Sequence, residues 1–184
     1  MKSKVVIIIL SALLILSLAF NAIMVYRELT RYGYADEFPP GVELQVGDMA
    51  PDFSVQLLTG ETFTLSEHRG TVVVLDFWAT WCGPCVAKMP TVQALSEQFE
   101  DYVIFVGMNV GEDPQRVRDF IAERGFTYPI GLDENGDIHR NLYPSAGIPY
   151  MVIINGDGVI ISTFLGSARD MHQLIEDAIM EALG

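Results

Sequence analysis

"VVVLDFWATWCGPCVAKMP", Val72 to Pro90, opens with strand chemistry and closes with helix chemistry, and both cysteines of the 184-residue chain stand at the change. Thr71 to Trp78 is an almost unbroken β-branched and aromatic run, which predicts a central strand covered on both faces. From Pro84 to Phe99, Val86, Met89, Val92, Leu95 and Phe99 recur at helical spacing. Cys82 and Cys85 lie between the two patterns. Such a pair can clip a metal, staple a loop or exchange electrons. A loop closed over two residues removes little unfolded-state entropy, so stapling is a poor use of it. A structural zinc site wants four ligands, and the remaining candidates, His68, His139 and His172, are isolated in sequence. Covalent haem attachment needs a histidine where Val86 stands. Redox chemistry by the two sulfurs remains, and it calls for no metal and no cofactor.

Working outward, "SVQLLTGETFTL" offers two short alternating runs about Thr59-Gly60, a hairpin signal. After the helix, "YVIFVGMNV" reads as a second buried strand. A helix then opens at Asp113-Pro114 and closes at Gly125. "MVIINGDGVIISTFL" reads as a hairpin turning at Asn155 to Gly158, and a last helix runs from about Asp170 to Leu183. Strand, helix, strand, helix, hairpin and helix describe an α/β sandwich with a mixed sheet.

With these landmarks in place, the chain resembles the thioredoxin superfamily. The resemblance rests on Asp76 six residues before Cys82, on Trp-Cys-Gly-Pro-Cys, on Pro90, and on "GIPYMVIINGDG" some sixty residues later. The leading segment "VGDMAPDFSVQLLTGETFTLSEHRG" and the extra stretch from Gly111 to Tyr143 are similar to the membrane-anchored TlpA/ResA-like branch. The resemblance implies a thioredoxin fold with an N-terminal β-hairpin extension and a central insertion. It implies a cis Ile148–Pro149 bond against the cysteines, with the Ile148 backbone open to an extended client segment.

The residues carry their own chemistry beside this. Cys82 stands where strand hands over to helix, so free N–H groups and the helix dipole favour its thiolate, and it is the expected attacking sulfur. Cys85, one turn on and less exposed, is expected to resolve the mixed disulfide. Gly83 permits close backbone approach, and Pro84 stiffens the loop. Trp78 is assigned to the core and Trp81 to the cover of the site, so Trp81, Gly83, Pro84, Ile148 and Pro149 form the expected client-binding set. Asp76, buried in its strand, has either a structural role or the task of passing a proton to and from Cys85. Thioredoxins place a lysine on the next strand near this aspartate, where this chain offers Gly107. Lys88 reads as a solvated helix residue, Pro90 as a kink, and the three histidines as surface or turn residues.

Residues 1–29 differ from all of this. Val5 to Tyr26 is apolar apart from Ser11, Ser17 and Asn21, long enough to cross a bilayer. It reads as one transmembrane helix, with a cleaved signal peptide ending near Ala19 as the alternative. Lys2 and Lys4 favour a cytoplasmic N-terminus, so either reading puts the catalytic domain outside the cytoplasmic membrane. Residues 30–43, rich in Gly, Pro and charge, read as a linker, and 44–184 as the thioredoxin-like domain. Net charge is −13, and all acidic residues but Glu28 lie beyond Tyr34, which argues against nucleic acid. The expected activity is thiol–disulfide exchange with protein clients, supplied by a membrane electron-donor protein, with cytochrome c or copper-site maturation as the client class. The alternatives are an oxidant of secreted proteins and a tethered client-binding module without turnover.

Overall fold

The computed structural model describes residues 44–184. The expected anchor and linker lie outside the described residues. Among the described residues, no helix is long and apolar enough to cross a membrane.

A hairpin comes first, β1 (Ser54–Gln56) against β2 (Thr62–Thr64), turning where Gly60 takes a φ of 91°. A short 3-10 turn follows at Leu65–His68. The opening stretch then gives β3 (Val72–Trp78), whose seven residues are all buried, and α1 (Gly83–Gln98), which runs unbroken through Pro90. Next come β4 (Val103–Val110), α2 (Pro114–Arg124), β5 (Ile130–Asp133), β6 (Tyr150–Ile154), β7 (Ile160–Leu165) and α3 (Met171–Leu183). The five-stranded sheet has the order β5-β4-β3-β6-β7, with β3, β4 and β5 parallel and β6 and β7 antiparallel. This is the mixed sheet of a thioredoxin-like α/β fold.

Local chemistry sets the element ends. Asp113 accepts hydrogen bonds from the Gln115 and Arg116 N–H groups at the start of α2, Pro114 fills the first turn, and Gly125 ends the helix in the left-handed region. The β6–β7 turn closes at Asn155 to Gly158, as the sequence indicates.

Alternation along β3 sorts two cores. Val72, Val74 and Trp78 pack under α1 and α3 with Cys85, Met89, Leu95, Ile175 and Ile179. Val73, Leu75 and Phe77 face the other way, against Phe53, Val55, Phe63, Leu65 and Tyr143, so the N-terminal hairpin region roofs that face. Asp76 falls by the same alternation on the α1 face.

Three elements have no counterpart in the sequence reading: β5, the 3-10 turn, and a π-helical turn at Ile138–Leu142. β5 spans four residues and contains Gly131, too short and too weak in strand propensity to stand out. It forms because β4 offers it an edge, and Gly131 suits it because a side chain there would meet Met108 and Val55 at 3.0 Å.

Candidate active site

Cys82 is the N-cap of α1, between the strand end and the first helical turn, and its sulfur accepts the Cys85 N–H at 3.3 Å. Pro84 sits in that first turn, where no N–H is needed. The two cysteines are joined in a disulfide. Cys82 keeps 6% of its surface and Cys85 none, so the first residue is the less enclosed of the pair. Trp81 is 66% exposed beside Cys82, whereas Trp78 is fully buried. Gly83 and Pro84 are exposed, and no atom lies within 4 Å of where a side chain on Gly83 would begin. Beyond its own helix and chain neighbours, nothing presses on Gly83.

The Ile148–Pro149 bond is cis, and the Pro149 carbonyl accepts the Gly166 N–H at 2.8 Å. Ile148 is half-buried and packs against the core that holds both cysteines.

Asp76 is buried, 1% exposed, and its register partner on β4 is Gly107. A side-chain carbon on Gly107 would meet Tyr128 and Ile130 at 2.9 Å and Trp78 Nε1 at 3.1 Å, so no lysine fits there. The cation comes from the helix instead. Lys88 Nζ lies 2.7 Å from Asp76 Oδ1, with both side chains almost fully enclosed. This corrects the reading of Lys88 as solvated. Cys85, Lys88, Val92 and Leu95 follow a spacing of three, four and three, which puts Lys88 on the inward stripe of α1, and a buried strand carboxylate needs a partner there. That stripe and the charge on Asp76 were the available signals. Burial pushes the Asp76 carboxyl up, and the Lys88 charge and hydrogen bond pull it back, leaving it above the ordinary value.

A second buried acid braces the loop ahead of Cys82. Glu112 accepts the Thr80 N–H and the Thr80 hydroxyl, each at 2.6 Å, and the Asn109 amide at 2.8 Å, with Arg116 Nε at 3.2 Å. Sequence reading missed it because Glu112 and Thr80 are 32 residues apart and share no period.

The histidines lie in turns or at the surface, as read, and two of them carry aromatic contacts. His139 is half-buried in the π-helical turn, hydrogen-bonded to Ser145 at 2.9 Å with its ring 5.3 Å from Phe77. Burial pushes its imidazole below the ordinary value, with Asp133 opposing and Arg140 assisting. His68 stacks on Phe63 at 4.6 Å, and His172 alone is exposed. Both ring contacts are with aromatic residues distant in sequence or across a turn, which only the fold brings near.

Known proteins are similar to this chain. The chain is 34% identical over 140 residues to the thioredoxin-like protein YneN of Bacillus subtilis, covering 73% of this chain and 81% of the relative. It is 32% identical over 146 residues to the thiol-disulfide oxidoreductase ResA of Geobacillus thermodenitrificans, covering 78% and 83%. The crystal structure of a candidate thiol:disulfide interchange protein DsbE from Chlorobium tepidum superposes with a TM-score of 0.70 at 29% identity, over 77% of this chain and all of that one. The Redoxin family model matches residues 45–181, which span the hairpin, the cysteine pair and the cis-proline loop alike. On that match and on those relatives, the chain belongs to the Redoxin family of the thioredoxin superfamily and is a ResA-like thiol–disulfide oxidoreductase.

Proposed function

We propose that the protein reduces disulfides in partner proteins outside the cytoplasmic membrane, held there by the apolar segment from Val5 to Tyr26 and recharged by a membrane thiol donor. The observation that carries the chemistry is the unequal pair of sulfurs, Cys82 at a helix N-cap beside the exposed Trp81, and Cys85 one turn deeper with no surface. In the reduced protein the Cys82 thiolate attacks a client disulfide. One client sulfur leaves as a thiolate and a mixed disulfide forms. Cys85 gives its proton to Asp76 and attacks Cys82 Sγ. The Cys82–Cys85 bond forms, the second client sulfur leaves, and two electrons have passed to the client. The donor reverses these steps at the Cys82–Cys85 disulfide.

Support for the client site comes from the half-buried Ile148 and the cis Pro149, whose neighbouring backbone suits an extended segment lying past Trp81. The reducing direction rests on the Gly83-Pro84 pair between the cysteines and on similarity to ResA-like relatives. Proteins with exposed cysteine pairs awaiting haem or copper are the client class that fits. A Cys85→Ser variant is expected to accumulate covalent complexes with clients that added reductant releases, whereas Cys82→Ser captures almost none. Equal capture by both variants contradicts the division of labour, and capture by neither, with client binding retained, points to a binding module without turnover. For the anchor, the full-length chain is expected to stay with membranes through carbonate washing. A native chain beginning near Phe20 contradicts it.

A further inference from the structure

Gly147, Ile148 and Pro149 lead into β6, and their backbone groups are unequally used. The Gly147 carbonyl accepts the Ser145 hydroxyl at 2.7 Å, and the Pro149 carbonyl accepts the Gly166 N–H. Between them, the N–H and C=O of Ile148 have no hydrogen bond among the described residues. These are the two groups by which one residue of an extended chain pairs with another. Their direction is not free. The Gly147–Ile148 peptide is trans and planar, so the Ile148 N–H points opposite to the Gly147 carbonyl, and whatever holds that carbonyl aims the N–H.

The carbonyl is held by a series of bonds that reaches back to the sheet. Ser145 has one hydroxyl proton, which goes to Gly147, so at the 2.9 Å contact with His139 Nε2 the serine oxygen accepts and the imidazole donates. His139 therefore carries a proton on Nε2. Its ring lies 5.3 Å from that of Phe77 on β3, and its backbone is tied to the end of β5. There the buried Asp133 carboxylate accepts the Ile138 N–H at 3.1 Å and the His139 N–H at 2.9 Å. Two strands thus fix one imidazole, the imidazole fixes a serine, and the serine fixes a peptide plane. Only the Ile148 end of the series is unbonded.

We propose that His139 and Ser145 are positioning residues for client binding, which aim the Ile148 N–H at the backbone of an extended client and so set the affinity for peptide disulfides. The proposal rests on the reading that Ile148 pairs with the client. Neither side chain takes part in the exchange between sulfurs. They supply a peptide plane that is oriented before the client arrives, and without the serine hydroxyl that plane has to be ordered at the moment of binding.

The test uses the full-length chain, reduced beforehand, and a peptide whose single cysteine is joined to 2-nitro-5-thiobenzoate. Attack by Cys82 on the peptide sulfur releases the coloured thiolate. In Ser145→Ala the half-saturating peptide concentration is expected to rise about tenfold at an unchanged limiting rate. The rate with 5,5′-dithiobis(2-nitrobenzoate), which has the same leaving group and no peptide backbone, is expected to stay at the parent's. Ser145→Thr keeps the hydroxyl and is expected to restore the affinity. His139→Phe keeps a ring on Phe77 without the N–H, and is expected to weaken peptide binding about threefold. Burial keeps the imidazole uncharged near neutrality, and its nitrogen NMR spectrum is expected to place the proton on Nε2.

Peptides N-methylated at one residue at a time test the reading beneath. In the parent, one position is expected to lose affinity, the one whose N–H pairs with the Ile148 carbonyl. That loss together with parent-like affinity in Ser145→Ala overturns the positioning role and spares the client site, and so does a neutral ring with its proton on Nδ1. Equal weakening toward the peptide and the small disulfide also overturns it, because that is damage to the site at large. No loss at any methylated position removes the reading of Ile148 itself.

Discussion

Asp76 and Glu112 are both buried acids beside the Cys82 loop, one rising from β3 and the other from the turn before α2. Glu112 spends both oxygens on Thr80, Asn109 and Arg116, and thereby fixes the backbone two residues ahead of Cys82. Asp76 spends one oxygen on Lys88 and leaves the other without a partner. A fully engaged carboxylate is a brace, since moving a proton onto it sacrifices bonds that hold the loop. A half-engaged one in an apolar surround can gain and lose a proton with its geometry intact. The same side-chain chemistry thus suits two different tasks, and the count of bonds on each oxygen tells them apart.

Variants break this comparison in graded ways. The largest stability effect is expected from Asp76→Leu, which leaves Lys88 buried and unpaired at a cost of about 3–5 kcal/mol. Adding Lys88→Met is expected to return most of it, read by urea unfolding of single and double variants. Additive losses would show that the two side chains do not act as a pair. Next is Glu112→Ala, which strands the Thr80 N–H and the Asn109 amide and is expected to cost about 2 kcal/mol. It is also expected to slow attack by Cys82 and resolution by Cys85 in proportion. A selective loss of resolution would make Glu112 a second proton group and dissolve the contrast.

The smallest effect is a slope with pH. Burial outweighs Lys88 at Asp76, so the folded chain binds that proton more tightly than the unfolded chain. The contribution to stability is complete below the ordinary carboxylate value of about 3.9 and is lost as pH rises through the higher folded-state value. The stability of the parent relative to Asp76→Asn is therefore expected to fall as pH rises through that window. A rise instead would show that Lys88 dominates.

Much of this was legible in the chain because it is written locally. Asp113-Pro114 and Gly125 bound α2 by capping chemistry, and the unbroken run from Val72 to Trp78 marks the central strand. The cysteine positions, the partition of Trp78 and Trp81, and the absence of a lysine at Gly107 follow from spacing and from the family resemblance. What stayed hidden depends on side chains meeting across distance. The charge of Lys88 points to solvent, while its place on the inward stripe of α1 points to the core. Tyr128 comes against Gly107, the register partner of Asp76, only because the four-residue β5 brings that segment against β4, and Glu112 reaches Thr80 only once the insertion folds over the loop. The contact of His139, a turn residue, with Phe77 spans 62 positions and has no local signal.

The central claim, that Asp76 takes the Cys85 proton while Glu112 only holds the loop, is tested most directly by the rate at which Cys85 resolves a preformed mixed disulfide on Cys82, followed across pH. In the parent the rate is expected to climb where Asp76 loses its proton. In Asp76→Asn it is expected to climb only at the higher pH where Cys85 ionises unaided, with a loss of about a hundredfold near neutrality. Glu112→Gln is expected to lower the rate while keeping the parent's profile. An Asp76→Asn profile that coincides with the parent's would contradict the account.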